Sequence, residues 1–274
     1  MAETRNLLGR IAKSLEQIAR SPHQPTDWLR HAAYYSDGET GQGVSRLNSH
    51  PIELLRGIEE QKARVLENFE RHANGAAAHD ILLWGARGMG KSALIKAAFA
   101  NTETSLPGKI ALIQMAPGSL SRFPNLAEQL AGLERRFIVF IDDLGFESST
   151  SADNLALRSM LDGGIVERPQ NIRLAVTTNR RNIVPRNQDD QSAQHERDER
   201  DNSLALADRF GLSLGFHPCD QTVFLEIVEA YLKPLELAFD SDEAAAWAIA
   251  KGNRSGRTAY QFACEIAGRA GRQL

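Results

Sequence analysis

Residues 81–99, ILLWGARGMGKSALIKAAF, constrain the fold more than any other part of the chain. Four apolar residues lead into a turn with three glycines, and an apolar pattern of helical period follows a lysine and a serine. A short apolar run followed by such a periodic segment is typical of a strand joined to a helix by a tight loop. We therefore expect a mixed α/β fold.

Four more apolar runs follow and alternate with segments of helical character. They span residues 109–115, 137–143, 172–179 and 212–218. Short, nearly all-apolar strands that alternate with helices indicate a parallel sheet covered on both faces. After residue 220 the strands cease and three helical segments are predicted. The expected fold is a five-stranded parallel α/β core followed by a small unit of three helices.

The N-terminal part of the chain differs in composition from this core. Residues 7–19 place apolar side chains at spacings of three and four, which predicts an amphipathic helix that either packs on its own domain or contacts a partner. Residues 21–43 are polar and rich in turn-forming residues, which is typical of a linker. We therefore expect an N-terminal helix and linker at 1–44, an α/β core at 45–219 and a helical lid at 220–274.

Two further segments bear on how the core is organised. Residues 51–73 carry apolar side chains in helical register and predict a helix ahead of the first strand. Residues 184–202 form a polar segment that is too long for a simple connection. This segment is either a solvated insertion or part of a site.

The overall charge and the cysteine content exclude several classes of protein. The formal net charge is -3 and the pI is near 6.2, so nucleic-acid binding would require a local basic patch. The only two cysteines, Cys219 and Cys264, are too few for a disulfide framework, and we expect reduced thiols in the core. The chain has no secretory signal pattern and no apolar stretch of about eighteen residues, so we expect a cytoplasmic protein without membrane contact.

The glycine-rich turn matches the phosphate-binding pattern GxxxxGK[ST] at residues 85–92, GARGMGKS. Glycines let backbone N–H groups approach phosphate oxygens, Lys91 would meet the β and γ phosphates, and the Ser92 hydroxyl would bind Mg²⁺. The following helix adds its positive N-terminal end. The strand before and the helix after favour this interpretation over an incidental turn. The predicted phosphate-binding residues are Gly85, Ala86, Arg87, Gly88, Met89, Gly90, Lys91, Ser92 and Ala93.

Polar residues end two of the other predicted strands. Asp142 and Asp143 follow an apolar run about fifty residues after the phosphate loop, where the first carboxylate would hold Mg²⁺ through water. Asp143 is the first candidate for the base that polarises the attacking water, and Glu147 is the competing candidate. Asn179 ends the next strand and would bind the γ-phosphate or its water, unless the sequence TTN simply begins a turn.

Three arginines follow in the second half of the chain. Arg209 comes before the last predicted strand. Arg254 and Arg257 begin the last predicted helix, where two cations oppose the helix dipole at a cost of a few tenths to about 1 kcal/mol unless an anion compensates. A nucleotide phosphate would supply that anion; pairing with local acids is the alternative.

The order of these motifs resembles that of the AAA+ P-loop ATPases. LLWGARGMGKSALIKA, IDDLGFE, TTNRRNIVP, LADRFGL and RSGRTAYQFA together are similar to a bacterial AAA+-like family catalogued as domain of unknown function eight-fifteen. The resemblance runs from about residue 45 to residue 270. It implies ATP as the ligand, Asn179 as sensor 1, Arg257 in the lid as sensor 2, and Arg209 as an arginine finger that reaches a neighbouring copy in a homo-oligomer.

The resemblance leaves the type of activity open. The first hypothesis is an ATPase that hydrolyses ATP to ADP and phosphate and remodels or loads a protein or nucleic-acid partner. The second is a nucleotide-dependent switch or loader that assembles on ATP and has little turnover. Asp143 stands where the family usually has the longer glutamate, and this difference bears on the rate of hydrolysis. The third is a small-molecule kinase, which shares the phosphate loop but should lack an arginine finger and a three-helix lid.

Overall fold

The computed structural model of this chain describes residues 25–116, 118–144, 152–162, 168–179 and 208–274. The helix predicted at 7–19, the candidate base Glu147 and the polar segment at 184–202 lie outside the described residues.

A seven-stranded sheet lies at the centre of the described part of the chain. Its strands are β1 (Ala33–Ser36), β2 (Gly41–Val44), β3 (Ile81–Gly85), β4 (Ile110–Met115), β5 (Arg136–Ile141), β6 (Ile172–Thr177) and β7 (Leu212–Phe216). The strand order is β2-β1-β4-β5-β6-β3-β7, and every neighbouring pair is parallel except β1 with β2. The predicted α/β class and all five predicted strands are confirmed, and the sheet has two strands more than expected.

Helices cover both faces of this sheet, as the apolar strands require. In β5, Phe137 and Val139 join one hydrophobic cluster, whereas Ile138 and Phe140 join a second cluster on the opposite face. Within the sheet, β4 lies on one side of β3, beyond β6 and β5, whereas β7 lies on the other side of β3. The carboxyl end of β3 is therefore a topological switch point, which is where open α/β sheets bind ligands.

The interpretation of residues 21–43 as a linker is wrong for the two added strands, β1 and β2. β1 pairs in parallel with β4, and β2 continues from it as an antiparallel hairpin. Tyr34 is 2% exposed, and its hydroxyl accepts a hydrogen bond from His31 N at 2.8 Å and donates one to Asp27 O at 2.7 Å. The buried Arg135 guanidinium also donates to His31 O at 2.6 Å, so long-range contacts hold this polar segment on the sheet.

Seven α-helices complete the described ranges. They are α1 (Glu59–Ala73), α2 (Lys91–Ser105), α3 (Phe123–Leu130), α4 (Ala152–Asp162), α5 (Gln221–Leu232), α6 (Ser241–Ala250) and α7 (Gly256–Arg269). None of these helices is long and apolar enough to cross a membrane. α5, α6 and α7 are the three predicted C-terminal helices, and they pack around a hydrophobic cluster of their own.

The helix predicted at 51–73 begins later than its periodicity suggests. A short 3₁₀ turn at Ile52–Leu54 precedes it, and α1 starts only at Glu59. Gly57 has a φ of +73°, in the left-handed region, and this breaks the helical path. The segment between this turn and α1 is therefore a loop, and Leu54 just before it packs against the cluster of the C-terminal helices.

The two cysteines are free, as expected, but half-buried rather than fully in the core. Cys219 contacts both the cluster beneath the sheet and the cluster of the C-terminal helices. Burial raises the pKa of its thiol.

Candidate nucleotide-binding site

The loop between β3 and α2 has the backbone that its glycines predict. Gly85, Gly88 and Gly90 have φ values of +118°, +75° and +89°, which side-chain-bearing residues rarely adopt. A Cβ at Gly85 would lie 2.1 Å from Phe216 O on the neighbouring strand β7. The loop can therefore pass close to the sheet and turn directly into α2, whose N-terminal N–H groups and dipole favour an anion.

Lys91 is the first residue of α2, directly after this loop, and is 6% exposed. Its Nζ donates to Gly85 O at 2.9 Å, Ala86 O at 2.8 Å and Asn179 Oδ1 at 3.0 Å. Burial lowers the pKa of Lys91 to about 8, although the nearby Asp143 and Asp142 carboxylates act in the opposite direction. A buried cation that contacts three neutral oxygens is well suited to receive phosphate oxygens.

Ser92 and Asp142 meet at the carboxyl edge of the sheet. The Ser92 hydroxyl donates to Asp142 Oδ1 at 2.5 Å, and the Thr177 hydroxyl donates to the same oxygen at 2.7 Å. A hydroxyl and a carboxylate fit Mg²⁺, which binds oxygen ligands and usually takes only one or two from protein beside waters and substrate phosphates. The chemistry of this pair therefore fits the Mg²⁺ that the sequence analysis predicts at this position.

Asp143 and Asn179 form a second polar pair beside the first. The Asn179 amide donates from Nδ2 to Asp143 Oδ1, while its Oδ1 accepts from Lys91. Asp143 is exposed and has a φ of +52°, and its N–H donates to Thr177 Oγ1 at 2.9 Å. One amide thus joins the candidate base to the phosphate-loop lysine.

These residues open into a cavity of about 370 Å³ between the sheet edge and the C-terminal helices. Ten of the residues predicted from the sequence line it: Gly88, Met89, Gly90, Lys91, Ser92, Ala93, Asp142, Asp143, Asn179 and Arg257. Gly85, Ala86 and Arg87 form the base of the loop but do not line the cavity. Arg254 is exposed and also lies outside the lining.

The cavity lining also has an aromatic part, called the aromatic end, which the sequence analysis did not predict; the part lined by the phosphate loop is called the phosphate end. His50, Tyr231 and Tyr260 contact one another edge to face, with ring centroids 5.2 to 5.8 Å apart. Burial lowers the pKa of His50, and the nearby Lys96 lowers it further. Burial also raises the pKa of Tyr231 to about 12, so both rings are neutral at neutral pH. Leu54, Leu55, Ile58 and Ile227 supply the aliphatic walls.

Arg209 lies far from this cavity, at the side of the sheet where the parallel strands begin rather than where they end. β7 runs parallel to β3, with Leu212 beside Ile81 and Phe216 beside Gly85. The phosphate loop follows the carboxyl end of β3, whereas Arg209 precedes the amino end of β7 and is exposed. Arg209 therefore cannot reach the phosphate loop of its own chain.

The fold of this chain is that of the AAA+ P-loop ATPases, with a phosphate-loop motif at the switch point of a parallel sheet and three helices after it. The chain belongs to the family described as Protein of unknown function (DUF815), whose family model matches residues 28–270. The match begins before residue 45, where the sequence analysis placed the start of the resemblance, and so includes the β1–β2 hairpin.

Solved structures share this fold at low sequence identity. RuvB of Thermotoga maritima, described as a Holliday junction branch migration motor, has a TM-score of 0.51 and 17% identity, over 82% of this chain and 68% of RuvB. A single-residue variant of that RuvB has a TM-score of 0.51 and 18% identity, over 81% of this chain and 66% of RuvB.

A second solved structure, that of the Aeropyrum pernix ORC1 protein in complex with DNA, has a TM-score of 0.54 and 16% identity, over 78% of this chain and 61% of ORC1. This chain thus spans about two thirds of RuvB and less than two thirds of ORC1. No curated protein matches the chain.

Proposed function

We propose that this chain binds ATP together with Mg²⁺ in the cavity and hydrolyses the ATP to ADP and phosphate. The observation that carries the proposal is the joint position of Lys91, Ser92 and Asp142 at one end of a single cavity. Lys91 binds the β and γ phosphates, and the N–H groups of the loop and of the α2 N-terminus bind further phosphate oxygens. Ser92 and Asp142 hold Mg²⁺, which neutralises charge on the phosphate oxygens.

The hydrolytic step requires a carboxylate near the γ-phosphate. Asp143 takes the proton of the attacking water, with Glu147 as the alternative base. Asn179 binds Asp143 and Lys91 at once, so it can orient the base relative to the γ-phosphate. Arg257 lines the same end of the cavity and lowers the pKa of Lys91 through its charge, which is consistent with a position near the phosphates.

The aromatic end of the cavity supports a nucleotide ligand over a simple phosphate. The neutral rings of His50, Tyr231 and Tyr260 offer an apolar, aromatic surface that a purine base can contact. Because this surface and the phosphate loop line one cavity, an adenine at one end and a triphosphate at the other fit the same ligand. A small-molecule kinase is less well supported, because the phosphate loop is followed by a three-helix lid.

The work coupled to hydrolysis is the remodelling or loading of a protein or nucleic-acid partner by a homo-oligomer. Arg209 supports an oligomer because it lies at the side of the sheet opposite its own phosphate loop, so that only a neighbouring copy can place its γ-phosphate beside this side chain.

A nucleotide-dependent switch with little turnover is the second candidate function. The short Asp143 side chain, bound by Asn179, favours it. Steady hydrolysis that a macromolecule stimulates would support the first function and contradict the second.

The lysine of the loop provides the direct test of nucleotide binding. Lys91→Ala should abolish tight ATP binding, because the substitution removes the cation that meets the β and γ phosphates. The matched control is Lys109→Ala, at an exposed residue just before β4. Titration calorimetry with ATP and Mg²⁺ measures both variants. An unchanged affinity in Lys91→Ala would overturn the site assignment.

A further inference from the structure

The N-terminus of α7 is in direct contact with the phosphate loop. The Arg257 backbone N–H donates to Gly88 O at 3.1 Å. A Cβ at Gly256 would lie 3.2 Å from the same carbonyl oxygen, and a Cβ at Gly88 would lie 2.9 Å from Ser255 Oγ. Glycine at both positions therefore allows helix and loop to approach this closely.

The helix end that makes this contact is itself held in place by buried hydrogen bonds. Ser255 and Thr258 are 4% and 3% exposed. Ser255 Oγ accepts from Thr258 N at 3.2 Å and caps α7, and the Thr258 hydroxyl donates to Asn253 Oδ1 at 2.7 Å. Because this helix end is capped and its polar groups are buried and hydrogen-bonded, the backbone N–H of Arg257 has a fixed direction. That N–H is the one that binds Gly88.

The hydrogen bond to Gly88 has a consequence on the cavity side of the loop. A trans peptide is planar, so the C=O of one residue and the N–H of the next point in opposite directions. If Gly88 C=O points to α7, the N–H of Met89 points away from α7. Met89 lines the cavity at its phosphate end. The contact with α7 therefore sets the direction of a backbone donor in the phosphate loop.

We propose that the N-terminus of α7 positions the phosphate loop, with Gly256 as the positioning residue that lets Arg257 N–H hold the Gly88 carbonyl. This inference rests on the proposed nucleotide-binding function and deepens it. Phosphate binding and the position of α7 are then coupled, and by linkage each strengthens the other. The coupling acts through the backbone and is independent of the Arg257 side chain.

The test compares ligands with and without phosphates in matched glycine variants. Gly256→Ala places a methyl group against Gly88 O, whereas Gly268→Ala adds one at an exposed site on the same helix with no atom within 4 Å. Calorimetry with ATP, ADP and adenosine should show that Gly256→Ala weakens ATP and ADP by about tenfold, within the usual range of coupling, and leaves adenosine unchanged. Gly268→Ala should leave all three unchanged.

Three results would overturn the proposal. The first is a Gly256→Ala variant with wild-type affinity for ATP and ADP. The second is an equal loss for adenosine, which would indicate a general displacement of the lid. The third is a wild-type protein that fails to bind ATP, and this result would also end the proposed function. Wild-type binding that depends on Lys91 but not on Gly256 overturns the positioning role alone.

Hydrogen exchange on the wild-type chain tests the same contact if Gly256→Ala does not fold. ADP should slow exchange of the Arg257 amide, because phosphate binding stabilises the loop carbonyl that this amide contacts. Adenosine should not slow it. Equal exchange of this amide with ADP, with adenosine and with neither would contradict the coupling.

Discussion

The phosphate end of the cavity is made from one continuous stretch of backbone and two strand ends, whereas the aromatic end is made from side chains of three separate segments. At the phosphate end, three positive-φ glycines fix the path of the backbone, and the hydrogen bonds of the buried Lys91 fix the position of its charge. At the aromatic end, His50, Tyr231 and Tyr260 define a surface rather than a set of directed donors.

The two constructions predict different sensitivity to substitution. Directed charges and N–H groups at the phosphate end act on the group that changes charge in the reaction, so their loss should affect rate and binding strongly. Stacking surfaces at the aromatic end contribute apolar contact that is similar in the ground state and the transition state. Their loss should weaken binding moderately and leave the chemical step unchanged.

The largest effect should come from a residue outside the cavity altogether. Arg209→Ala should leave ATP affinity roughly intact and reduce hydrolysis by a factor of about 10³ to 10⁵, the range typical of arginine fingers that stabilise the transferring phosphoryl group. If this arginine completes the phosphate end of a neighbouring copy, wild-type activity per subunit should also rise with protein concentration. Steady-state phosphate release over a concentration series measures both.

Mixing inactive subunits sharpens the same test. Arg209→Ala subunits keep an intact cavity, and Lys91→Ala subunits keep an intact Arg209. The mixture should regain partial activity. Failure to complement, together with wild-type activity that does not depend on concentration, would leave Arg209 as a surface residue and the phosphate end as complete within one chain.

The core of the fold was predictable because buried parallel strands have a strong local signal. β4 and β5 are nearly continuous apolar runs, and their helical neighbours show clear periodicity. The β1–β2 hairpin has no such signal. β2 contains Gly41 and Gly43, which lie against the rings of Trp28 and His31, so tertiary packing rather than local preference makes it a strand.

The site was predictable to the extent that it is continuous in sequence. Residues 88–93 and the strand-end residues Asp142, Asp143 and Asn179 line one cavity, and their roles remain predictions. The aromatic end could not be found in the same way, because a lone His50 in a polar segment and two lid tyrosines form a surface only after folding. The contact of Gly256 with Gly88 also has no local signal.

The next largest effect concerns the base at the phosphate end. Asp143→Asn should retain ATP but reduce hydrolysis by about 10² to 10⁴, the usual contribution of a general base, since an amide cannot accept the proton of water. Glu147→Gln is the matched comparison. ATP binding and phosphate release are measured for both variants. If Glu147→Gln shows this phenotype and Asp143→Asn does not, the base has been misassigned.

A moderate effect, confined to ligands that carry a base, should come from the aromatic end. Tyr260→Ala should weaken ATP by roughly 1 to 3 kcal/mol, the range for stacking of a base on an aromatic side chain. It should leave the affinity for inorganic tripolyphosphate unchanged, because that ligand reaches only the phosphate end. Tyr35→Ala, at an exposed tyrosine on β1, is the control. Equal losses for both ligands would show that the two ends do not act separately.

The smallest effect is a pH dependence that should separate the two ends without any substitution. Burial lowers the pKa of Lys91 to about 8, so this lysine is charged below pH 8 and loses its proton above it. Bound phosphate favours the charged form, which raises the pKa in the complex. ATP affinity should therefore be highest below pH 8 and fall by at most about tenfold per pH unit above it, by proton linkage. Adenosine affinity should stay flat over the same range, because adenosine reaches only the aromatic end.

Lys91→Arg should remove the slope for ATP, since arginine remains protonated throughout. Calorimetry between pH 7 and pH 9.5 measures all three. A flat ATP profile in the wild type, or a slope that persists in Lys91→Arg, would show that the charge of Lys91 does not govern the phosphate end.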